Sequence, residues 1–306
     1  MDISVILCTH NSDNRLRTTL ESFCQLNRPE GVEWELVAVD NNSTDRTEKV
    51  IRTFEGRLPI DYVYEPEQGK SRALNTGVDV AQGELIVFTD DDVKPTPDWL
   101  GAYWKAYQKR PEGYYFGGPI ECEYEGDPPD DDLLQAAPPS VSGMDYGSVA
   151  HEEDLFIGPN WACPAQHLRQ GGPFDVKLGP NPNTEGDTAA EETDMMARLR
   201  EQGVKGWYEP RAKISLFVPA SKCTLDHVVS RNIANVDAVY PLEEVYEIFG
   251  MPVGMYRQAL LRGAMWVVKK GLGRKWKIEY TSWKVWCKCI RVYHKKYSGR
   301  ALVALI

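Results

Sequence analysis

At 306 residues, with 42% hydrophobic and 26% charged residues, the chain has the composition of a soluble globular protein and the length for one large α/β domain or two smaller ones. No apolar run approaches the 18 residues of a membrane-spanning helix. The seven cysteines are scattered without a CxxC pair and the start MDISVILC lacks the basic lead and long apolar stretch of a signal peptide, so a reducing cytoplasm is expected. The net charge of −10 divides sharply: residues 251–306 hold thirteen Lys and Arg against Glu279 alone, and the first 250 residues balance at −22. Such asymmetry suggests a tail addressed to an anionic surface.

In chain order, continuous apolar runs at 4–8 and 35–39, a weaker one at 60–64 and the strongest at 85–88 read as strands covered on both faces. Helical stretches at 15–26, 45–54 and 70–81 lie between them, with Ser43 or Thr44 as N-cap of the second. Strands separated by helices of this length imply right-handed crossovers and a parallel sheet. Ligands gather at the carboxyl ends of such strands. Polar clusters fall there: Thr9-His10-Asn11, Asp40-Asn41-Asn42 and Asp90-Asp91-Asp92.

The stretch from 110 to 169 has twelve acids and no base between its flanking arginines, and 126–142 reads as a mobile loop, either a solvated acidic surface or a lid. Helical patterning resumes at 191–202 and continues at 225–239, 243–249 and 255–270.

Three consecutive carboxylates at a strand end need an explanation, because unit charges ~5 Å apart repel by roughly 3 kcal/mol at an effective dielectric of ~20. Turning them to water relieves this; so does a hard divalent cation, Mg²⁺ or Mn²⁺. Asp40 can accept hydrogen bonds from a base or ribose, or cap a turn. The segment EPEQGKSRALNTG is not a P-loop, since the first glycine of that motif falls on Tyr64. Its basic helix start, with Lys70 and Arg72, suits a diphosphate at the positive dipole end. Glu191-Glu192-Thr193-Asp194 opens a helix, where acids are favoured by the dipole, and one of them can serve as general base toward an acceptor hydroxyl.

The blocks VILCTHN, VDNNSTD, GKSRALNTGV, GELIVFTDDDV, GGPFDVKLG and EETDMMARLREQG, in this order over 3–203, resemble family 2 glycosyltransferases of the GT-A fold. The resemblance implies a Rossmann-like, mostly parallel sheet flanked by helices, and an inverting, metal-dependent transfer from a nucleotide-diphosphate sugar. It places Thr9 and Asn11 beside the nucleotide and Asp40 on its base. Arg72 and Asn75 fall on the helix that holds it. Asp92 becomes the metal ligand and Asp90 lies near ribose and metal, with Asp91 grouped among the donor contacts. Glu192 becomes the base, Glu191 and Asp194 staying open, and Asn160 and Trp161 line the sugar pocket. The histidine that relatives often carry before a Val-Pro pair is absent at Phe217-Val218-Pro219, leaving His227 or water to complete the metal shell. A uridine-diphosphate sugar heads the expected donors, and a glycan or lipid-linked hydroxyl the acceptors. A sugar-phosphate nucleotidyltransferase would want a glycine-rich loop after the first strand, and CTHNSDNR has none. The remaining rival is a non-catalytic sugar-nucleotide scaffold of the same fold.

The division expected is a catalytic domain over 1–220, with an acidic loop at about 121–155, and a helical region over 221–306. Trp276, Tyr280, Trp283, Cys287 and Ile290 are spaced as one apolar helix face among lysines, fitting the plane of an anionic bilayer or packing on the chain itself or on a second copy. The acidic remainder opposes nucleic acid. The expected location is the inner face of a membrane, on the cytoplasmic side.

Overall fold

The computed structural model describes residues 1–181, 190–234 and 253–297. The expected helix at 243–249 lies outside them. The chain forms two compact units, one of residues 1–123 and 143–217, the other of 124–142 and 218–306.

The first unit holds an eight-stranded sheet. Strands β1 (Ile3–Thr9), β2 (Trp34–Asp40), β3 (Ile60–Tyr64) and β4 (Leu85–Asp90) pair in parallel in the order β3-β2-β1-β4. Beyond a short β5 (Val93–Pro95), β6 (Tyr114–Gly117), β7 (Ile120–Tyr124), β8 (His151–Glu152) and β9 (Trp161–Pro164) follow, then β10 (Lys205–Tyr208) and β11 (Ile214–Val218). β9 runs antiparallel between β4 and β6, β10 lies parallel to β6, and β8 closes the edge. A three-stranded sheet takes β5, β11 and β7. β1, β2 and β4 are apolar on both faces because helices cover both, whereas β3 is half exposed at the sheet edge, which accounts for its weaker pattern.

Helices α1 (Asp13–Phe23), α2 (Thr47–Arg52) and α3 (Lys70–Val80) are the crossovers, and α4 (Trp99–Lys109) follows β5. α3 approaches the sheet at Gly77, where a Cβ would stand 2.7 Å from Ile6 Cγ2, so only glycine allows the approach. Neither Ser43 nor Thr44 caps α2. Arg46 holds the cap position, while the Asp45 carboxylate accepts from the Thr47 amide at 2.9 Å and hydroxyl at 2.6 Å.

In the second unit, residues 126–142 are not a loop. They form α5 (Asp131–Ala136) and α6 (Pro139–Ser142), with Leu133 and Ala136 buried against Val228. The signal is hidden because both helices are too short to show a period and are held by tertiary contact. α7 (Ala165–Gly171) and α8 (Glu191–Glu201) belong to the first unit. α9 (Leu225–Ala234), α10 (Val253–Gly271) and α11 (Lys277–Tyr297) complete the second. Asp132 accepts from the Trp276 and Lys277 amides at 2.9 and 3.0 Å, a carboxylate at the start of α11, and Asp130 pairs with Lys277. α10 and α11 pack as a hairpin. Trp266 stacks on Trp283 with ring centroids 5.1 Å apart, Tyr280 packs beside them, and Glu279 takes Arg262 at 2.9 Å and Lys269 at 2.7 Å. The aromatic face expected on a bilayer therefore packs within this unit. Among the described residues no helix is long and apolar enough to cross a membrane.

Candidate active site

The chain leaves the sheet at the carboxyl ends of β1, β2 and β4, and the segments there enclose a cleft of about 260 Å³ lined by Cys8, Thr9, His10, Asn41, Lys70, Asp90, Asp91, Asp92 and Pro180. Thr9 Oγ1 donates to Asp91 Oδ2 at 2.6 Å, and Thr19 Oγ1 to the Asp91 carbonyl at 2.8 Å, so β1 and α1 fix the aspartate triplet from one side. Lys70, at the first position of α3, fixes it from the other with Nζ 2.5 Å from Asp90 Oδ1. Burial opposes the Lys70 charge, but Asp90 and Glu191 outweigh it and raise its pKa. Burial and the Asp90 charge push the Asp91 carboxyl up, against the Thr9 hydrogen bond.

Glu191 and Glu192 open α8 behind Ala190, whose φ of 89° puts an alanine in the left-handed region at a cost of about 1–2 kcal/mol. Strain of this kind collects at functional sites. Glu191 is 4% exposed, and its Oε1 lies 3.9 Å from Lys70 Nζ. Burial, then the neighbouring Glu191 charge, pushes the Glu192 carboxyl well above the ordinary range. Asp194 instead forms an i,i+4 ion pair with Arg198 at 2.8 Å on the helix surface.

Other expected contacts lie elsewhere. At the start of α3 the Lys70 amide donates to the Pro180 carbonyl at 3.0 Å and the Ser71 hydroxyl to the Leu178 carbonyl at 2.7 Å. Arg72 pairs with Glu67 at 2.8 Å, and the Asn75 amide holds both the N–H and the carbonyl of Phe174. Asp40 is 2% exposed, accepting from the Ser43 amide and the Tyr62 hydroxyl. Asn11, at φ 50°, accepts from the Thr44 amide and clasps that loop to the end of β1.

Asn160 and Trp161 do not line a sugar pocket. Asn160 is wholly buried and spends all four hydrogen bonds internally: Oδ1 accepts from Trp99 Nε1 and the Tyr103 hydroxyl, and Nδ2 donates to the Pro119 and Ala212 carbonyls. Trp161, 1% exposed, stacks on Phe88 with centroids 4.4 Å apart. His227 lies on α9, in the other compact unit.

The cleft also uses residues given no role from sequence. His10 Nδ1 meets the Asn41 carbonyl at 2.8 Å, while Nε2 faces the side-chain amides of Asn11 at 3.0 Å and Gln68 at 3.4 Å. This assigns the proton to Nδ1 and leaves Nε2 as acceptor. Asn41 accepts from the Gly69 amide at 2.8 Å and so ties the end of β2 to the start of α3. The signal was position: both residues directly follow strands. Burial pushes the Cys8 thiol up, so it is not poised as a nucleophile.

Among the described residues no three His, Cys, Asp or Glu side chains converge as a metal site. The donor set nevertheless fits Mg²⁺ or Mn²⁺. Such ions are commonly held by one or two carboxylates, with substrate phosphates and water supplying the rest. Here three aspartates and Glu191 and Glu192 face the single ammonium of Lys70, so the cluster keeps surplus negative charge.

Residues 4–143 match the model of Glycosyl transferase family 2. The validoxylamine A glucosyltransferase of Streptomyces hygroscopicus subsp. limoneus is 34% identical over 108 residues, 34% of this chain but only 23% of that protein's length. The succinoglycan biosynthesis protein ExoM of Rhizobium meliloti is 28% identical over 241 residues, 76% of this chain and 72% of that one. The mannosyltransferase PcManGT from Pyrobaculum calidifontis, solved with GDP-Man and Mn²⁺, shares the fold, with a TM-score of 0.54 at 19% identity over 99% of this chain and 78% of its own. The six blocks in order and the cleft at the strand ends fall largely within the part of the chain, residues 4–143, that is similar to glycosyl transferase family 2.

Proposed function

We propose that the protein is an inverting glycosyltransferase. It moves a sugar from a nucleotide-diphosphate sugar, a uridine-diphosphate sugar first among the candidates, to a hydroxyl of a glycan or lipid-linked acceptor in polysaccharide synthesis. The observation that carries this reading is the meeting of Asp90, Asp91 and Asp92 with Lys70, Glu191 and Glu192 at one strand end. PcManGT, solved with GDP-Man and Mn²⁺, supports a nucleotide-sugar donor and a divalent metal.

Glu192 acts as general base. Its raised pKa makes it a stronger base than an exposed carboxylate, able to draw the proton from the acceptor hydroxyl as that oxygen attacks the anomeric carbon. The bond to the diphosphate breaks on the opposite face, its electron pair leaving with the phosphate oxygen, so an α-linked donor gives a β-linked product. Lys70 neutralises part of the charge on the departing diphosphate, moving from Asp90 toward phosphate. Thr9 holds Asp91 in place. Asp90 and Asp92 would hold Mg²⁺ or Mn²⁺, which supplies electrostatic stabilisation of the leaving group.

Glu192→Gln tests the assignment. We expect unchanged donor affinity and a loss of transfer of at least about a hundredfold; full turnover would move the base to Glu191 or Asp194. The same reading places the chain at the cytoplasmic face of a membrane through its basic C-terminal segment, where a lipid-linked acceptor would be met.

A further inference from the structure

Helix α10 is apolar on both sides. Its inner side carries Met255 and Ala259, 4% and 7% exposed, with Trp266 stacked on Trp283. Gly263 keeps this side flat, since a Cβ there would stand 3.1 Å from the Trp283 ring. On the outer side Leu260 is 74% exposed, Leu261 48%, Val267 61% and Val268 58%, and Leu272, 63% exposed, follows in the turn just past the helix end. At 3.6 residues per turn the four helical ones fall within an arc of about 120°. A contiguous exposed apolar stripe of this kind marks an interaction site.

We infer that this outer face of α10, rather than the aromatic face of α11, seats the protein on an anionic bilayer, lying in the interface plane. The inference rests on the membrane-surface reading above and names the surface that makes the contact. Charge selects the occupant. Arg257 is exposed within the stripe, Arg274 is exposed just past its end, and residues 251–306 hold thirteen bases against one acid. Two copies meeting through this face would bring like charge together, whereas an anionic headgroup layer complements it. The apolar residues then enter the headgroup boundary while the arginines reach phosphate.

The test is flotation of the full chain with vesicles of phosphatidylcholine containing about 30% phosphatidylserine, alongside sedimentation to read oligomeric state. The parent chain is expected to float with these vesicles and to be released as salt rises, because the Debye length contracts from about 10 Å at 0.1 M to about 3 Å at 1 M. A double variant, Leu260→Glu with Val267→Glu, is expected to lose vesicle binding at least about tenfold. The single exchange Arg257→Glu, at an exposed position, is expected to lose it several-fold. Nucleoside-diphosphate binding serves as control and is expected to be unchanged, so failure here leaves the catalytic reading standing. Parent protein that does not float overturns the inference. So do variants that float like the parent, and so does a parent dimer that the double variant splits without affecting flotation.

Discussion

Lys70 joins two carboxylates that the chain supplies from distant segments, Asp90 at 2.5 Å and Glu191 at 3.9 Å, and its charge is held by them despite burial. Glu192 sits in the same field, raised to about 8 by burial and by Glu191. A base with a raised pKa works only once deprotonated, so activity should climb with pH well above the ordinary glutamate value of about 4.3. A pH profile of kcat/KM is expected to show this acid limb, and Glu192→Gln should abolish it along with transfer. An unchanged limb in the variant would assign it to another group. Asn160 makes the opposite prediction. Asn160→Ala orphans two donors and two carbonyls in the core, so thermal unfolding should show a loss of about 3 kcal/mol or more; a stable variant with altered sugar preference would restore it to a pocket. Thr9 and the aspartates were legible as polar residues at strand ends, and Lys70 as a base at a helix start. Asn160 and Trp161 were not, because a saturated buried amide and a stacked indole look in sequence like their pocket-lining counterparts.

At the level of elements, the parallel half of the sheet was readable because double burial leaves unbroken apolar runs at 4–8, 35–39 and 85–88. The strands β5 to β11, of two to five residues each, are too short for a period and are defined by their partners. Helix α3 positions Lys70 over the cleft and depends on its contact at Gly77. Gly77→Val would drive a branched side chain into Ile6 and Val39, costing about 2 kcal/mol or more in urea unfolding. A variant as stable as the parent would show that α3 is not seated on the sheet as described. The acidic run at 130–132 illustrates the limit of charge patterning. Asp130 and Asp131 are solvent-exposed, yet the run also carries structure, since Asp132 accepts from the first amides of α11 and Asp130 and Asp131 pair with Lys277 and Lys275.

For the whole molecule, the charge division noted in the sequence has two physical uses. Some C-terminal bases are paired inside the second unit with Glu279, Asp130 and Asp131, and Arg257 and Arg274 stand exposed beside the apolar face of α10, where the proposed bilayer contact would use them. The cleft of the first unit is lined by Asp90, Asp91 and Asp92, where a cation and a diphosphate would balance each other. The central claim is that this cleft binds a nucleoside diphosphate together with a divalent ion held by Asp90 and Asp92. Thermal unfolding of the full chain with UDP, GDP or dTDP, with and without Mn²⁺, measures it most directly, because ligand at a hundredfold over Kd stabilises by about 2.7 kcal/mol. The account predicts a rise in Tm of several degrees with at least one nucleotide, dependent on Mn²⁺ and lost in Asp92→Asn. A parent chain whose Tm is unmoved by every nucleotide with Mn²⁺ would contradict it.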